Sequence, residues 1–122
     1  MEKEFVTYEQ ALALKELGFD EMCLGYYTYD FIGYNPNPYF ELGQSPFHMG
    51  ITPQSVKAPL KQQVFRWFRE KYELNHIIIK AKSWFCLING VNYQQQFTTY
   101  EEAENAAIDK LIELAKQQED EK

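Results

Sequence analysis

The amino-acid sequence predicts an α+β fold, an antiparallel sheet of three or more strands packed against helices, whose second half reads helix-strand-strand-strand-helix. Three observations carry this. Residues 59–72 (PLKQQVFRWFREKY) place Trp67, Leu60, Val64, Phe68, Tyr72 and Phe65 within one arc of about 160°, the pattern of a helix with one buried face. Asn89-Gly90 stands between the apolar run 84–88 (WFCLI) and residues 91–97 (VNYQQQF) and is the strongest short-range hairpin signal a sequence carries. Thr7 and Thr99 each precede a glutamine or glutamate by three residues, the capping box of a helix start.

Taken in order, the first helix runs from about Tyr8 to Leu17. Gly18 is its left-handed C′ residue, and Phe19 folds back on Leu14. Residues 23–29 (CLGYYTY) are aromatic and β-favouring and read as a strand. Residues 30–58 hold Pro36, Pro38, Pro46 and Pro53 with three glycines and read as mostly irregular, with residues 39–42 a short strand returning beside 23–29. The aromatics Tyr34, Tyr39, Phe40 and Phe47 argue that this loop (residues 31–58) packs down, since disordered segments are aromatic-poor.

Pro59 suits the first turn of the central helix, where its missing N–H costs nothing. Lys61 and Lys71 fall inside the apolar arc and are expected to snorkel out of it. Glu73-Leu74-Asn75 turns the chain into a β-branched strand over 76–82 (HIIIKAK). The hairpin then pairs Trp84, Cys86 and Ile88 with Gln95, Tyr93 and Val91 on the face toward the helices. Its other face pairs Phe85 and Leu87 with Gln94 and Asn92. A last helix begins after Thr99, with acids in its first turn and a stripe of Ala103, Ala107, Ile108, Leu111, Ile112, Leu114 and Ala115. Residues 119–122 read as a frayed tail, leaving residues 1–118 as one domain, in which 1–58 packs on a 59–118 core.

Composition bounds function. A chain of 122 residues, 45% hydrophobic and 16% aromatic, has material for a real core in one domain. No run approaches the length of a membrane span and MEKEFVTYEQ has no signal-peptide pattern, so a soluble, cytoplasmic protein without membrane association is expected. Residues 57–98 carry seven bases and two acids, whereas 1–56 carry two bases and eight acids and 99–122 three and eight, so the middle is basic and both ends acidic. The histidines, His48 and His76, have no ligand spacing to each other or to Cys23 and Cys86, and the cysteines read as buried thiols. The glycines are dispersed, with no phosphate-cradling loop, and Glu101, Glu102 and Glu104 are explained by a helix N-terminus. No catalytic, cofactor-binding or metal-binding residue is expected, and the chain is not read as an enzyme. Two function classes remain. One is a protein-interaction module using the tyrosine-rich stretch with Tyr34 and Tyr39 and the sheet face of Phe85 and Leu87. The other is an anion or nucleic-acid binder using Arg66, Arg69, Lys80 and Lys82. Neither the protein partner nor the oligomeric state is specified by the sequence.

Two resemblances add to this reading. Residues 99–107 (TYEEAENAA) look like the serine-capped last helix of the double-stranded-RNA-binding domain with its alanine pair, and residues 59–116 resemble that domain in element order. Where that family sets lysines against RNA phosphates, this chain has Tyr100, Glu101 and Glu104, so duplex RNA is not an expected partner. The phrases EFVTYEQALALKELGFDE, FRWFREKYEL and YEEAENAAIDKLIEL together resemble a family of small uncharacterised proteins of gut bacteria and their phages, over nearly the whole chain. That resemblance supplies no catalytic residue and implies a phage or mobile-element accessory protein.

Overall fold

The computed structural model describes residues 2–28, 38–43, 55–92 and 95–121. The fold is α+β, and the chain separates into two compact units, Met1–Leu60 and Lys61–Lys122, each with its own antiparallel three-stranded sheet.

In the first unit a 3-10 turn at Glu2–Glu4 leads to helix α1 (Tyr8–Glu16). Its start is the expected capping box: Thr7 Oγ1 accepts from Gln10 N–H, and the Gln10 side chain accepts from Thr7 N–H at 2.9 Å. Its end is the expected glycine cap. Gly18 has a φ of 95°, and Phe19 N–H returns to the Leu14 carbonyl at 2.9 Å.

The sheet of this unit is ordered β2-β1-β3, with β1 (Gly25–Thr28) central, β2 (Tyr39–Leu42) pairing Tyr27 with Phe40, and β3 (Val56–Ala58) pairing Tyr27 with Val56. One face is aromatic. Tyr27 meets Tyr8 and Phe40 edge-on, Phe5 packs on Phe40 at 4.6 Å, and the Tyr27 hydroxyl donates to the Val6 carbonyl at 2.6 Å. Gly25 lies beneath Phe40, whose ring would stand 2.6 Å from any Cβ there, so a side chain at this position would expel the ring. The strand β3 falls within the stretch read as mostly irregular. At three residues it is too short to show alternation, and it forms because β1 offers it an open edge.

The second unit runs α2 (Lys61–Tyr72), β4 (His76–Lys80), β5 (Trp84–Ile88), β6 (Val91–Asn92) and α3 (Tyr100–Asp120). The expected face of α2 is buried at Val64, Phe65, Trp67, Phe68 and Tyr72, while Gln62, Arg66, Arg69 and Glu70 are exposed. Pro59 is not in the helix: α2 starts at Lys61, and the Pro59 carbonyl accepts Val6 N–H at 3.1 Å. Lys71 does leave the apolar arc, its ammonium lying 5.0 Å from the Trp67 ring centre. Lys61 does not: it is 4% exposed, and its ammonium lies 3.8 Å from a Glu104 carboxylate oxygen. Glu73 closes the helix with a φ of 56°, and Gln118 Nε2 donates to the Tyr72 carbonyl at 3.3 Å.

The sheet is ordered β4-β5-β6. Ile88 pairs with Val91 and Leu87 with Asn92 about the two-residue turn, in which Asn89 and Gly90 have φ of 51° and 80°, the positive pair a type I′ turn requires. The side chain of Asn89 also accepts from Asn75 N–H at 2.8 Å, and Asn89 N–H donates back to the Asn75 carbonyl at 2.8 Å. Further out the register departs from expectation. Trp84 pairs with Phe97, through two backbone hydrogen bonds of 2.9 Å, and not with Gln95. Gln94-Gln95-Gln96 supplies no apolar residue to hold a strict two-residue alternation, and half-buried Phe97 takes the place opposite Trp84. Tyr93 and Gln94 lie outside the described residues.

Asn89→Ala is expected to lower stability by about 1–2 kcal/mol, from the left-handed backbone and the lost bond to Asn75, whereas Asn89→Gly loses only the latter. Urea unfolding of the two variants tests this; equal losses would mean the positive φ contributes nothing.

The last helix is capped as expected, with Thr99 Oγ1 accepting from Glu102 N–H at 3.2 Å. Thr98 and Thr99 hydroxyls donate to the Glu102 carboxylate at 2.6 and 3.0 Å and hold its pKa below the ordinary value. The apolar stripe is buried at Ala103, Ala107, Ile108, Leu111, Ile112 and Ala115, with Leu114 half-buried. The helix continues to Asp120, past the point where the sequence expects fraying. Gln118 caps α2, and Tyr72 Oη donates to Glu119 Oε1 at 3.0 Å, which together tie this end down.

Candidate functional site

The three isoleucines of β4 are β-branched and identical, so only the pairing tells them apart. Ile78 pairs with Cys86 and His76 with Ile88, on the face that carries the buried side chains. Ile77 pairs with Leu87 and Ile79 with Phe85, on the other face. Ile77 is 53% and Ile79 44% exposed, with Phe85 and Leu87 half-buried beside them. Isoleucine at this exposure is apolar surface left in water, and four large apolar side chains in two adjacent cross-strand pairs make it a patch. Sequence reasoning named Phe85 and Leu87 and missed Ile77 and Ile79. The signal available was the two-residue period through HIIIK, which becomes usable only once the register to β5 is known.

The four basic candidates are divided among α2, β4 and the turn after β4. Arg66 and Arg69 are exposed one turn apart on α2. Arg69 lies one turn along α2 from Phe65, on whose ring His76, the first residue of β4, is stacked. Lys80 is the last residue of β4, about 13 Å along an extended strand from His76, with its ammonium 5.5 Å from the Trp84 ring centre. Lys82 is exposed in the turn that follows. The strand therefore has a basic group at each end and isoleucines between. In the first unit, Tyr39 is 37% exposed on β2, on the face it shares with Tyr26 and Glu41. Tyr34, His48 and Phe47 lie outside the described residues.

Glu104, one of the three acids that the sequence explains by a helix N-terminus, is 7% exposed, facing Lys61 and accepting from Gln62 Nε2 at 3.3 Å. Tyr100 and Glu101 remain exposed on the first turn of α3.

Both cysteines are buried. Burial pushes the Cys23 thiol up to about 11 and raises that of Cys86, so both are thiols and not nucleophilic thiolates near neutral pH. The Cys23 thiol donates to the Glu21 carbonyl at 3.4 Å. The Tyr72 hydroxyl is pushed up to about 12 by burial and by its bond to Glu119. Among the described residues no group of three or more His, Cys, Asp or Glu is placed to hold a metal ion. Among them, too, no helix is long and apolar enough to cross a membrane.

His76 lies flat on Phe65, ring centres 3.5 Å apart and planes within 10°, and burial with the nearby Arg69 charge holds its pKa below 6.5. Folding thus favours the neutral ring. Stability from this site is complete above about pH 6.5 and is lost as pH falls through the folded-state value. His76→Phe keeps an aromatic ring for the stack and removes the titration, so its unfolding free energy should fall less between pH 7 and pH 5 than that of the wild type. Equal slopes would show that His76 does not titrate differently on folding.

Compared with protein-family models, curated proteins and solved structures, the chain matches none.

Proposed function

We propose that this chain is a non-catalytic protein-interaction module whose contact surface is the open face of its second sheet. The observation that carries the reading is the exposed apolar patch of Ile77, Ile79, Phe85 and Leu87. Large apolar side chains in adjacent positions are what buried interface cores are made of, and among the described residues Cys23 and Cys86 are held as buried thiols. The likeness of three sequence phrases to proteins of gut bacteria and their phages supports a role as a phage or mobile-element accessory protein, and the N-terminal sequence, without a signal-peptide pattern, supports action in the cytoplasm.

The test is capture of partners from the native host with the wild type, with Ile79→Asp/Leu87→Asp and with Arg66→Ala/Arg69→Ala. The reading expects one set of partners, lost from the first variant and kept by the second. The competing reading, an anion or nucleic-acid binder, is favoured by the exposure of Arg66 and Arg69 on one side of α2. It expects salt-dependent retention on heparin or single-stranded DNA that disappears when both arginines become alanine. For duplex RNA of about 20 base pairs at low salt, no binding tighter than about 10⁻⁴ M is expected, because Tyr100 and Glu101 stand where lysines would be needed.

A further inference from the structure

We infer that the partner of this surface is an extended segment, apolar in the middle and acidic at both ends, that adds to the free edge of β4 as a fourth strand. The inference rests on the interaction-module reading and specifies its partner. Strand β4 is an edge of the β4-β5-β6 sheet, and among the described residues β5 is the strand paired with it. Edge strands are normally blunted by proline, by a bulge or by a charge in mid-strand. His76–Lys80 has none of these: its middle is three isoleucines, and Lys80 stands at its end. An incoming strand satisfies the outward N–H and C=O groups of this edge, and its alternate side chains extend the Ile77 and Ile79 face.

Charge decides which strand fits. Arg69 lies one turn along α2 from Phe65, the ring on which His76, the first residue of β4, stacks, and Lys80 and Lys82 stand at and just beyond the last residue of β4. Carboxylates at both ends of the incoming segment meet a base at each end, whichever way the segment runs. A second copy of this chain is a poor occupant. Antiparallel pairing of two β4 strands about Ile78 would bring the Arg69 end of each copy against the Lys80 and Lys82 end of the other, positive against positive. Five residues of strand span about 17 Å, so a segment of seven to nine residues covers the edge and both basic ends.

The test uses the full chain and three synthetic peptides, capped at both ends: DEVTVTVED, its lysine-flanked counterpart KKVTVTVKK, and DEVTPTVED, in which proline removes a central N–H. Backbone amide NMR shifts and hydrogen exchange over residues 76–80 are the readouts. The expected result is saturable, salt-weakened binding of the acidic peptide that slows exchange in β4. KKVTVTVKK should bind at least about tenfold more weakly, as expected for a few exposed charge pairs turned from attraction to repulsion. The proline peptide should not bind. Lys80→Glu/Lys82→Glu should reverse the preference between the first two. The inference is overturned if the acidic peptide leaves the β4 amides unchanged, if both flanked peptides bind equally, if the chain instead dimerises through β4, or if oligo-dT displaces the peptide from Lys80. Should the peptide fail while Ile79→Asp/Leu87→Asp still abolishes partner capture, strand addition is wrong and the interaction surface stands. Failure of both removes the surface as well.

Discussion

Phe68→Ala is expected to destabilise the second unit by about 3–5 kcal/mol, while Arg69→Ala, one residue along the same helix, changes stability by less than about 0.5 kcal/mol. Phe68 is completely buried on the inner face of α2, with the Trp67 ring edge-on at 5.1 Å and Tyr72 at 6.0 Å. Its backbone carbonyl accepts Leu74 N–H, so the residue also sits where the helix ends. Removing the ring leaves a cavity in a close-packed interior that can collapse only in part to fill it. Domains are stable by only about 5–15 kcal/mol, so the change should visibly shift the urea midpoint. Arg69 is exposed, and its truncation removes charge from beside His76 without opening a void. Comparable losses at the two positions would mean that α2 is rotated about its axis from the orientation described.

What the sequence made legible has a common character: each feature is decided within a few residues. The caps at Thr7, Thr99 and Gly18 need partners three to five positions away. The I′ turn needs only Asn89-Gly90, and the buried face of α2 repeats every three or four residues. The features that escaped are settled by distant partners. Ile77, Ile78 and Ile79 cannot be sorted into exposed and covered until β5 fixes their register, and that sorting is what creates the candidate surface. The three residues of β3 become a strand only against β1. The last turn of α3 holds because Tyr72 reaches Glu119. The basic candidates were individually placed on the surface as expected, yet their division between the two ends of β4 depends on how α2 lies along the sheet.

Glu104→Ala is expected to cost about 3–5 kcal/mol, the result that most sharply separates a buried ion pair from two snorkelling side chains. Lys61 and Glu104 are 5% and 10% exposed at their side chains, and they join the first turn of α2 to the first turns of α3. Losing the carboxylate strands an ammonium away from water and also deprives Gln62 Nε2 of its acceptor. Lys61→Met should cost less, about 1–3 kcal/mol, because Glu104 keeps the Gln62 bond and lies close to the positive end of the α3 dipole. Lys61→Met/Glu104→Leu replaces both charges with apolar volume and should fall within about 1 kcal/mol of the wild type, or exceed it. The double-mutant cycle then gives a coupling of a few kcal/mol. A Glu104→Ala loss below about 1 kcal/mol would show that Lys61 reaches solvent once released, and that the pair holds the two helices together only weakly. Neither residue lies on the open face of the sheet, so the double variant should bind the acidic strand peptide as the wild type does. A stable double variant that no longer binds would mean that the angle between α2 and the sheet, and with it the position of Arg69 at the start of β4, is set by this buried pair.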